Sequence, residues 1–310
     1  MTKARLVALA VLLMPSLGCT QAAAPIINDG DPPRITGIGV VAPDILSIKV
    51  DERRAEYGAQ VPYEPQDDDR IDTPEHHRWV LRGGKVIGAL AGPDGDLMRE
   101  IDAVVGEHLD IDWATDPSTY SISSTGDGNY ANAASPVAIY RKSKPTALAR
   151  TDSWRFDGPV GHVLYLRLPE ALVEGAEYAI EFDGGPFEAQ TFAYAPESLR
   201  SEAVHATHLG FRPDDPAKVA FLSCWMGDGG PLDYSELRFS VLDDGTGESV
   251  YDGTLRLSKA KDATDEDAYK TNHNGTDVYE ADFSDLADPG TYRVYVEGIG
   301  CSYPFPISDT

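Results

Sequence analysis

The sequence predicts an all-β protein of two β-sandwich domains in series, the first with a short helix and long loops. Apolar and polar residues alternate in short runs, and glycine, proline and aspartate separate these runs. The chain has 310 residues, which is enough for two domains of ordinary size. Because 42% of the residues are hydrophobic and 25% are charged, the composition is that of a folded protein.

The first 24 residues have the features of an export signal. Lys3 and Arg5 precede an apolar stretch at residues 6–14 that is too short to span a bilayer. The sequence PSLGC that follows resembles the lipoprotein box of bacteria, in which cleavage precedes a lipidated cysteine. We therefore predict cleavage before Cys19, lipidation of that residue at the cell envelope, and a flexible tether at residues 20–33. The alternative is ordinary cleavage after the alanines that end at residue 24.

The first domain is predicted at residues 34–197. Strands are expected at 35–41, 45–50, 137–140, 163–168 and 178–182, where the apolar pattern has a period of two. A helix is predicted at 96–109, because its five large apolar residues fall on one helical face. Residues 64–75 and 118–135 are predicted as long loops, since they are rich in proline, glycine and polar residues.

An internal similarity supports the count of two sandwiches. Leu172 and Leu286 are each followed by a glycine turn and then, six residues after the leucine, by Tyr178 and Tyr292 respectively. Each tyrosine begins an alternating run. This arrangement resembles the tyrosine corner of immunoglobulin-like sandwiches, in which the phenol hydroxyl fixes the turn before a late strand. The second domain is predicted at residues 201–310.

The second domain also carries a family resemblance, at residues 203–308. Its motifs are LGF at 209–211, FSVLD at 239–243, DVYEADFSDL at 277–286 and PGTY at 289–292. They resemble the N-terminal immunoglobulin-like domain of family 9 glycoside hydrolases, the cellulase family. In that family the domain packs against a helical (α/α)₆ barrel that holds the catalytic carboxylates. Such a barrel needs several hundred further residues, so the resemblance implies no catalytic residue in this chain.

The expected function is that of a secreted or lipid-anchored, non-catalytic accessory module of a cellulase-like system that takes part in polysaccharide degradation. Such a module is either a free-standing protein or a truncated enzyme. Its expected partner is a polysaccharide or a catalytic barrel. One alternative is a complete glycoside hydrolase acting on β-glucans, with its site in residues 34–197. Another is a spacer or adhesion-type surface lipoprotein. The net charge of −25 excludes nucleic acid, and leaves the membrane as a partner only through a lipid anchor.

Candidate ligand-binding residues are few in the sequence. Trp79, Trp113 and Trp154 are candidates for stacking on sugar rings, although large aromatic residues of a sandwich more often belong to its core. No cofactor is expected. Calcium is left open by the oxygen-rich segments 94–96 and 127–129, whose residue types also suit ordinary turns.

Two cysteines remain if Cys19 is lipidated. Cys224 and Cys301 form an even pair in a protein exported to an oxidising compartment, which favours a disulfide. The alternative is two separate buried thiols. The sequence leaves both open.

Overall fold

The structure is a computed structural model that describes residues 30–58, 60–73, 77–92, 95–99, 102–152, 154–264, 270 and 272–309. These residues form β-strands, a few single-turn helices and irregular segments, which confirms the predicted all-β class. The predicted signal peptide, Cys19 and most of the tether lie outside the described residues. Within the described part, no helix has the length and apolar character needed to cross a bilayer.

The described chain has two units, the first up to residue 199 and the second from residue 200, because no sheet of the described residues combines strands from both. The strands of the first unit are β1 (Arg34–Ala42), β2 (Ile45–Glu52), β3 (Arg54–Glu56), β4 (Gln60–Val61), β5 (Arg70–Asp72), β6 (Trp79–Arg82), β7 (Lys85–Ala91), β8 (Asp96–Arg99), β9 (Ala103–Val105), β10 (Tyr120–Ser123), β11 (Ala138–Pro145), β12 (Ala149–Asp152), β13 (Arg155–Asp157), β14 (Val160–Arg167), β15 (Glu177–Phe182) and β16 (Gln190–Ala193). The α-helix α1 (Ile111–Ala114) lies between β9 and β10. The second unit contains β17 (Val204–His205), β18 (Val219–Leu222), β19 (Arg238–Asp243), β20 (Ser249–Thr254), β21 (Arg256–Lys259), β22 (Val278–Asp282), β23 (Gly290–Val296), β24 (Gly300–Cys301) and β25 (Phe305–Ile307).

Two antiparallel sheets form the sandwich of the first unit, in the orders β1-β2-β14-β11 and β10-β15-β16. Along β2 the side-chain period of two sends Leu46, Ile48 and Val50 to one face, where all three are fully buried. There they share a core with Ile122 of β10 and Ile180 of β15. The alternation seen in the sequence therefore determines which face of the larger sheet meets the smaller one.

Both predicted tyrosine corners are confirmed. The phenol oxygen of Tyr178 accepts a hydrogen bond from the backbone N–H of Val173 at 2.8 Å. The Tyr292 hydroxyl donates to the carbonyl of Asp288 at 3.0 Å. In each unit the hydroxyl fixes the chain just before a late strand, β15 or β23.

Residues 53–108 leave the sandwich after β2 and form a β-lobe that the sequence did not predict. Its main sheet has the order β4-β8-β7-β6-β5, and the pairs β3-β9 and β12-β13 accompany it. Residues 64–75, predicted as a loop, contribute β5 to this sheet. The Asp69 carboxylate orders this segment, because it accepts from Arg82 Nε at 2.7 Å and from the Tyr63 hydroxyl at 3.0 Å.

The helix predicted at residues 96–109 is wrong. This segment contains β8 and β9, and β8 pairs with β4 on one side and β7 on the other. Leu97 is buried whereas its neighbour Met98 is 42% exposed, which is the alternation of a strand. The short helix of this domain begins later, at Ile111–Ala114, where the Asp110 carboxylate accepts the capping hydrogen bond.

The second unit is a sandwich of the sheets β17-β18-β22-β21 and β20-β19-β23-β24, with β25 also paired to β23. Three phenylalanines fill its centre. The ring centroids of Phe211, Phe283 and Phe305 are 5.4 to 5.6 Å apart, and two of the three contacts are edge to face. This core lies between the two sheets, as expected for a sandwich.

The larger sheet of the first unit is buried on both faces. Val41, Ile45 and Tyr165 point away from the first core and belong to the buried apolar cluster of the second unit. The Tyr234 hydroxyl of the second unit donates to the carbonyl of Val41 at 2.8 Å. Because β2 and β14 face apolar cores on both sides, they carry nearly continuous buried residues.

A turn of the second unit, Gly227–Gly229, packs directly on β11. The Asp228 carboxylate accepts a hydrogen bond from the backbone N–H of Arg141 at 2.6 Å. A Cβ atom on Gly227 would lie 2.0 Å from the carbonyl oxygen of Arg141, and the φ angle of this glycine is +71°. Both the backbone conformation and the close approach therefore require glycine at this position.

We predict that Gly227→Ala lowers the free energy of unfolding by about 2 to 5 kcal/mol, because left-handed strain and a clash with the Arg141 backbone add together. Gly230→Ala is the matched control. Its φ angle is +73° and its ψ angle is −163°, a region that essentially only glycine adopts, but a Cβ there meets no heavy atom within 4 Å. The control should therefore lose about 1 to 3 kcal/mol, from backbone strain alone. Chemical denaturation of both variants measures the difference, and equal losses would contradict the close packing of the turn on β11.

Candidate functional site

The three tryptophans predicted to bind sugars lie on separate elements. Trp113 of α1 packs against Phe187, and its indole N–H donates to the carbonyl of Asp183 at 2.7 Å, so it is largely a core residue. Trp79 is half-buried on β6. Trp154 is 93% exposed in the turn between β12 and β13. Among the described residues no ring contact joins any two of the three, and a sugar-binding role for them stays a prediction.

A pocket of about 380 Å³ lies where the two units meet, and is called the seam pocket below. Lys142 of β11 comes from the first unit. The second unit contributes most of the lining, including Glu202, His205, Phe221, Trp225 and Asn274. The pocket therefore depends on residues that are distant in sequence.

The floor of the seam pocket is a half-buried ion pair. Lys142 Nζ lies 3.2 Å from the Glu202 carboxylate and 5.3 Å from the centre of the Tyr165 ring. The Tyr165 hydroxyl donates to the same carboxylate. Burial, followed by the nearby Cys224 and Glu202, raises the pKa of Tyr165, so the phenol stays protonated. Glu202 is thus held from two sides by residues of the first unit.

The predicted disulfide between Cys224 and Cys301 is wrong, because both thiols are free and buried. Cys224 follows β18 in one sheet, where its thiol lies near Tyr165 and Tyr234. Cys301 lies in β24 of the other sheet, where its thiol donates to the carbonyl of Glu197 at 3.0 Å. Burial raises the pKa of each thiol to about 11. Of the two arrangements left open by the sequence, the structure has the pair of buried thiols.

Two half-exposed aromatic side chains form the walls of the seam pocket. Phe221 is 37% exposed and Trp225 is 44% exposed. Ala220, Leu222 and Cys224 point into the core, so the residues between them point outward. The sequence analysis did not identify Phe221 and Trp225 as binding residues, although this alternation is visible in the sequence.

The second unit has a recognisable relative. Residues 200–301 match the family model of the cellulase N-terminal Ig-like domain. The predicted resemblance is confirmed, and the match covers 102 of the 310 residues. The seam pocket of this Ig-like unit involves Phe221, Trp225 and Asn274, which all fall within the matched segment. No curated protein matches the chain.

Solved structures of family 9 glycoside hydrolases are similar to part of the chain. A metagenome-derived family 9 endoglucanase is 22% identical over 34% of this chain, with a TM-score of 0.27. The family 9 endoglucanase J30 is 33% identical over 32% of this chain, with a TM-score of 0.24. A family 9 protein of Bacteroides ovatus is 24% identical over 34% of it, with a TM-score of 0.24. The chain spans only 18%, 14% and 16% of those three proteins.

A second pocket, of about 420 Å³, is strongly acidic. Four carboxylates line it together with Arg238 and Tyr295, and they belong to Glu174 and Glu197 of the first unit and to Asp252 and Glu297 of the second. Burial, the largest effect, together with the nearby glutamates raises the pKa of Tyr295 to about 12. Within the described ranges no group of three or more histidine, cysteine, aspartate or glutamate side chains is arranged to hold a metal ion.

The predicted calcium segments are only partly described. In segment 127–129 the Asp127 carboxylate is buried, where it accepts the Tyr178 hydroxyl at 2.7 Å and the backbone N–H of Asn129 at 2.9 Å. These contacts give the aspartate a role in the turn. Asp94 of the other segment lies outside the described residues. Calcium binding stays a prediction.

A polar cluster centred on the buried residues Glu52 and His162 lies at the base of the β-lobe. The Glu52 carboxylate accepts the backbone N–H of Leu109 at 2.6 Å and lies 3.1 Å from His108 Nδ1. His162 Nε2 lies 3.5 Å from the same carboxylate, and Ser143 Oγ lies 2.8 Å from His162 Nδ1. Serine, histidine and carboxylate are the residue types of a nucleophilic triad. None of these five residues lines either pocket.

The position of this cluster in the chain indicates a structural role. The lobe begins at Arg53, directly after Glu52, and ends at His108. The Arg53 backbone has a φ angle of +55°, and its guanidinium donates to the carbonyl of Gly158 at 2.7 Å. Glu52 therefore ties together the two ends of the lobe, and His162 packs beneath this junction.

We predict that His162 makes folding stability depend on pH. Burial, the largest effect, and Arg141 lower the pKa of His162, whereas Glu52 and Asp51 oppose this shift. The unfolded chain binds a proton near pH 6.5, before the folded protein does, so stability should fall as the pH drops below about 6.5 and through the folded pKa. Chemical denaturation at about pH 7.5 and pH 5.5 measures this loss. In His162→Gln the loss between the two pH values should shrink, and an unchanged loss would contradict the assignment to His162.

Proposed function

We propose that the chain is a non-catalytic accessory module of a family 9 glycoside hydrolase system that takes part in polysaccharide degradation. The observation that carries the proposal is the match of residues 200–301 to the cellulase N-terminal Ig-like domain. We propose a polysaccharide or a catalytic (α/α)₆ barrel domain as its partner. The match covers only the Ig-like unit, and so it supports an accessory role.

The lining of the seam pocket supports a role in binding. Glycosidic cleavage generally uses two carboxyl groups about 5 to 9.5 Å apart across the scissile bond. Glu202 is the one carboxylate among the described residues that line the seam pocket, and it is engaged by Lys142 and Tyr165. The acidic second pocket is one location to test for a hydrolase site, because Glu174, Glu197 and Glu297 all line it.

We expect the full-length chain to release no reducing sugar from carboxymethyl cellulose, xylan, mixed-linkage glucan or aryl glycosides. Reducing-sugar assays over a range of salt concentrations test this, with heat-inactivated protein as the control. Release that is abolished by Glu174→Gln or Glu297→Gln would replace the accessory module by a hydrolase centred on the second pocket. If the release of reducing sugar is abolished instead by substitution of another carboxylate in residues 34–197, the hydrolase site lies elsewhere in the first unit.

We further propose that the module is exported and anchored to the bacterial envelope through lipid on Cys19. The motif LGC after a basic start and an apolar run supports this. Labelled palmitate should be incorporated into the wild-type chain and not into Cys19→Ala. Equal labelling of both proteins, or of neither, would contradict the anchor. Cys224→Ala is the matched control, because it removes a cysteine outside the motif and should keep the label.

A further inference from the structure

The seam pocket combines two aromatic walls with polar groups at their base. Phe221 and Trp225 provide partly exposed aromatic rings, while Glu202, His205 and Asn274 provide oxygen and nitrogen atoms. A volume of about 380 Å³ falls within the range of roughly 300 to 1,000 Å³ that is typical of small-ligand sites. This combination suits a ligand with an apolar face and a hydroxyl-bearing edge, which is the chemistry of a sugar ring.

The loop that carries Asn274 packs over one face of the Trp225 indole. Gly275 has a φ angle of +67°, and a Cβ on this residue would lie 3.5, 3.6 and 3.8 Å from Cδ1, Nε1 and Cγ of Trp225. Because these three distances are nearly equal, the backbone at Gly275 lies over the five-membered ring. Thr276 anchors the loop, because its hydroxyl donates to the carbonyl of Cys224 at 3.2 Å. The loop therefore holds Trp225 in place, while Asn274 is exposed and lines the same pocket.

The charges at the pocket favour a neutral ligand. Lys142 and Glu202 form an ion pair and cancel each other. An imidazole with an ordinary pKa near 6.5 is already mostly neutral at pH 7, and partial burial, the largest effect, lowers the pKa of His205 although this residue keeps an exposed surface. The whole chain carries a net charge of −25, which repels anions. An acidic glycan or a phosphorylated ligand is therefore disfavoured relative to a neutral one.

We propose that the seam pocket binds a short stretch of a neutral polysaccharide, with Trp225 and Phe221 stacking on sugar rings and Asn274 and Glu202 hydrogen-bonding their hydroxyls. The inference rests on the proposed function and names its binding site. Lys142 and Tyr165 are positioning residues, because they fix the Glu202 carboxylate from the first unit.

The test compares Trp225→Ala with Tyr57→Ala in the full-length chain purified in detergent. Tyr57 is the matched control, since it is an aromatic residue that is 57% exposed and lies outside the seam pocket. Affinity electrophoresis and calorimetric titration with hydroxyethyl cellulose and mixed-linkage glucan measure binding. We expect Trp225→Ala to weaken binding about tenfold or more, and Tyr57→Ala to leave it unchanged. Carboxymethyl cellulose, as the anionic counterpart, should bind more weakly than hydroxyethyl cellulose.

A second variant, Asn274→Ala, separates a loss of binding from a loss of folding. Asn274 is exposed on a loop, so this variant should have the thermal midpoint of the wild type and still lose affinity. Trp225→Tyr, which keeps an aromatic ring, should recover part of the affinity lost in Trp225→Ala. No binding of either neutral glycan by the wild type would overturn the proposal. Equal binding by wild type, Trp225→Ala and Asn274→Ala would overturn it too, as would a loss in Tyr57→Ala as large as that in Trp225→Ala.

The failure of this inference is distinguishable from the failure of the proposed function. Reducing sugar is assayed in the same samples. An absence of binding without hydrolysis overturns only the glycan site and leaves the accessory role. Hydrolysis abolished by a carboxylate substitution in the second pocket overturns the accessory role, whether or not Trp225→Ala changes binding.

Discussion

The two-sided burial of the sheet β1-β2-β14-β11 is the constraint on which the rest of the structure depends. One face closes the core of the first unit, and the other contributes Val41 and Tyr165 to the core of the second. Hydrogen bonds fix this second face, since the Ser201 hydroxyl donates to the carbonyl of Val40 at 2.6 Å. Apolar area buried from water stabilises folding by about 25 cal/mol per Å². The second unit by itself would expose the residues of its core that face this sheet.

The same packing creates the seam pocket. Lys142 on β11 points toward the segment that joins the two units. Glu202 lies in this segment, and its carboxylate accepts one hydrogen bond from the Lys142 ammonium group and another from the Tyr165 hydroxyl. A half-buried ion pair adds little net stability, because the desolvation of both charges offsets their attraction. Its consequence is positional: it sets where β11 lies relative to β18, and so where Phe221 and Trp225 stand around the opening.

Local alternation in the sequence predicted most of the sandwich strands, and turn chemistry predicted both tyrosine corners. The loop predicted at residues 118–135 is wrong in part, because this segment contains β10, which pairs with β15 in the smaller sheet of the first unit. The helix prediction failed because Leu97 fits a helical stripe and a strand equally well, and pairing with β4 and β7 decided between them. The disulfide prediction failed because an even number of cysteines does not indicate where each residue lies. Cys224 follows β18 of one sheet, and Cys301 lies in β24 of the other. The sequence did not predict a binding role for Trp225, because alternation along a strand indicates which side chains point outward and not which of them line a pocket. Its outward position depends on Cys224 pointing inward, and the sequence shows that as clearly as it shows the strand.

The arrangement of the two units also couples ligand binding to folding. Lys142 and Tyr165 belong to the first unit and the aromatic walls to the second, so the seam pocket exists only when the two units are packed together. A ligand that binds only this packed state stabilises it by mass action, by about 2.7 kcal/mol when its concentration is a hundred times Kd. The Gly227–Gly229 turn of the second unit packs on β11 at the same interface, where the Asp228 carboxylate accepts a hydrogen bond from the backbone N–H of Arg141. Residues of this turn therefore influence the pocket without lining it, because they hold the strand that carries Lys142.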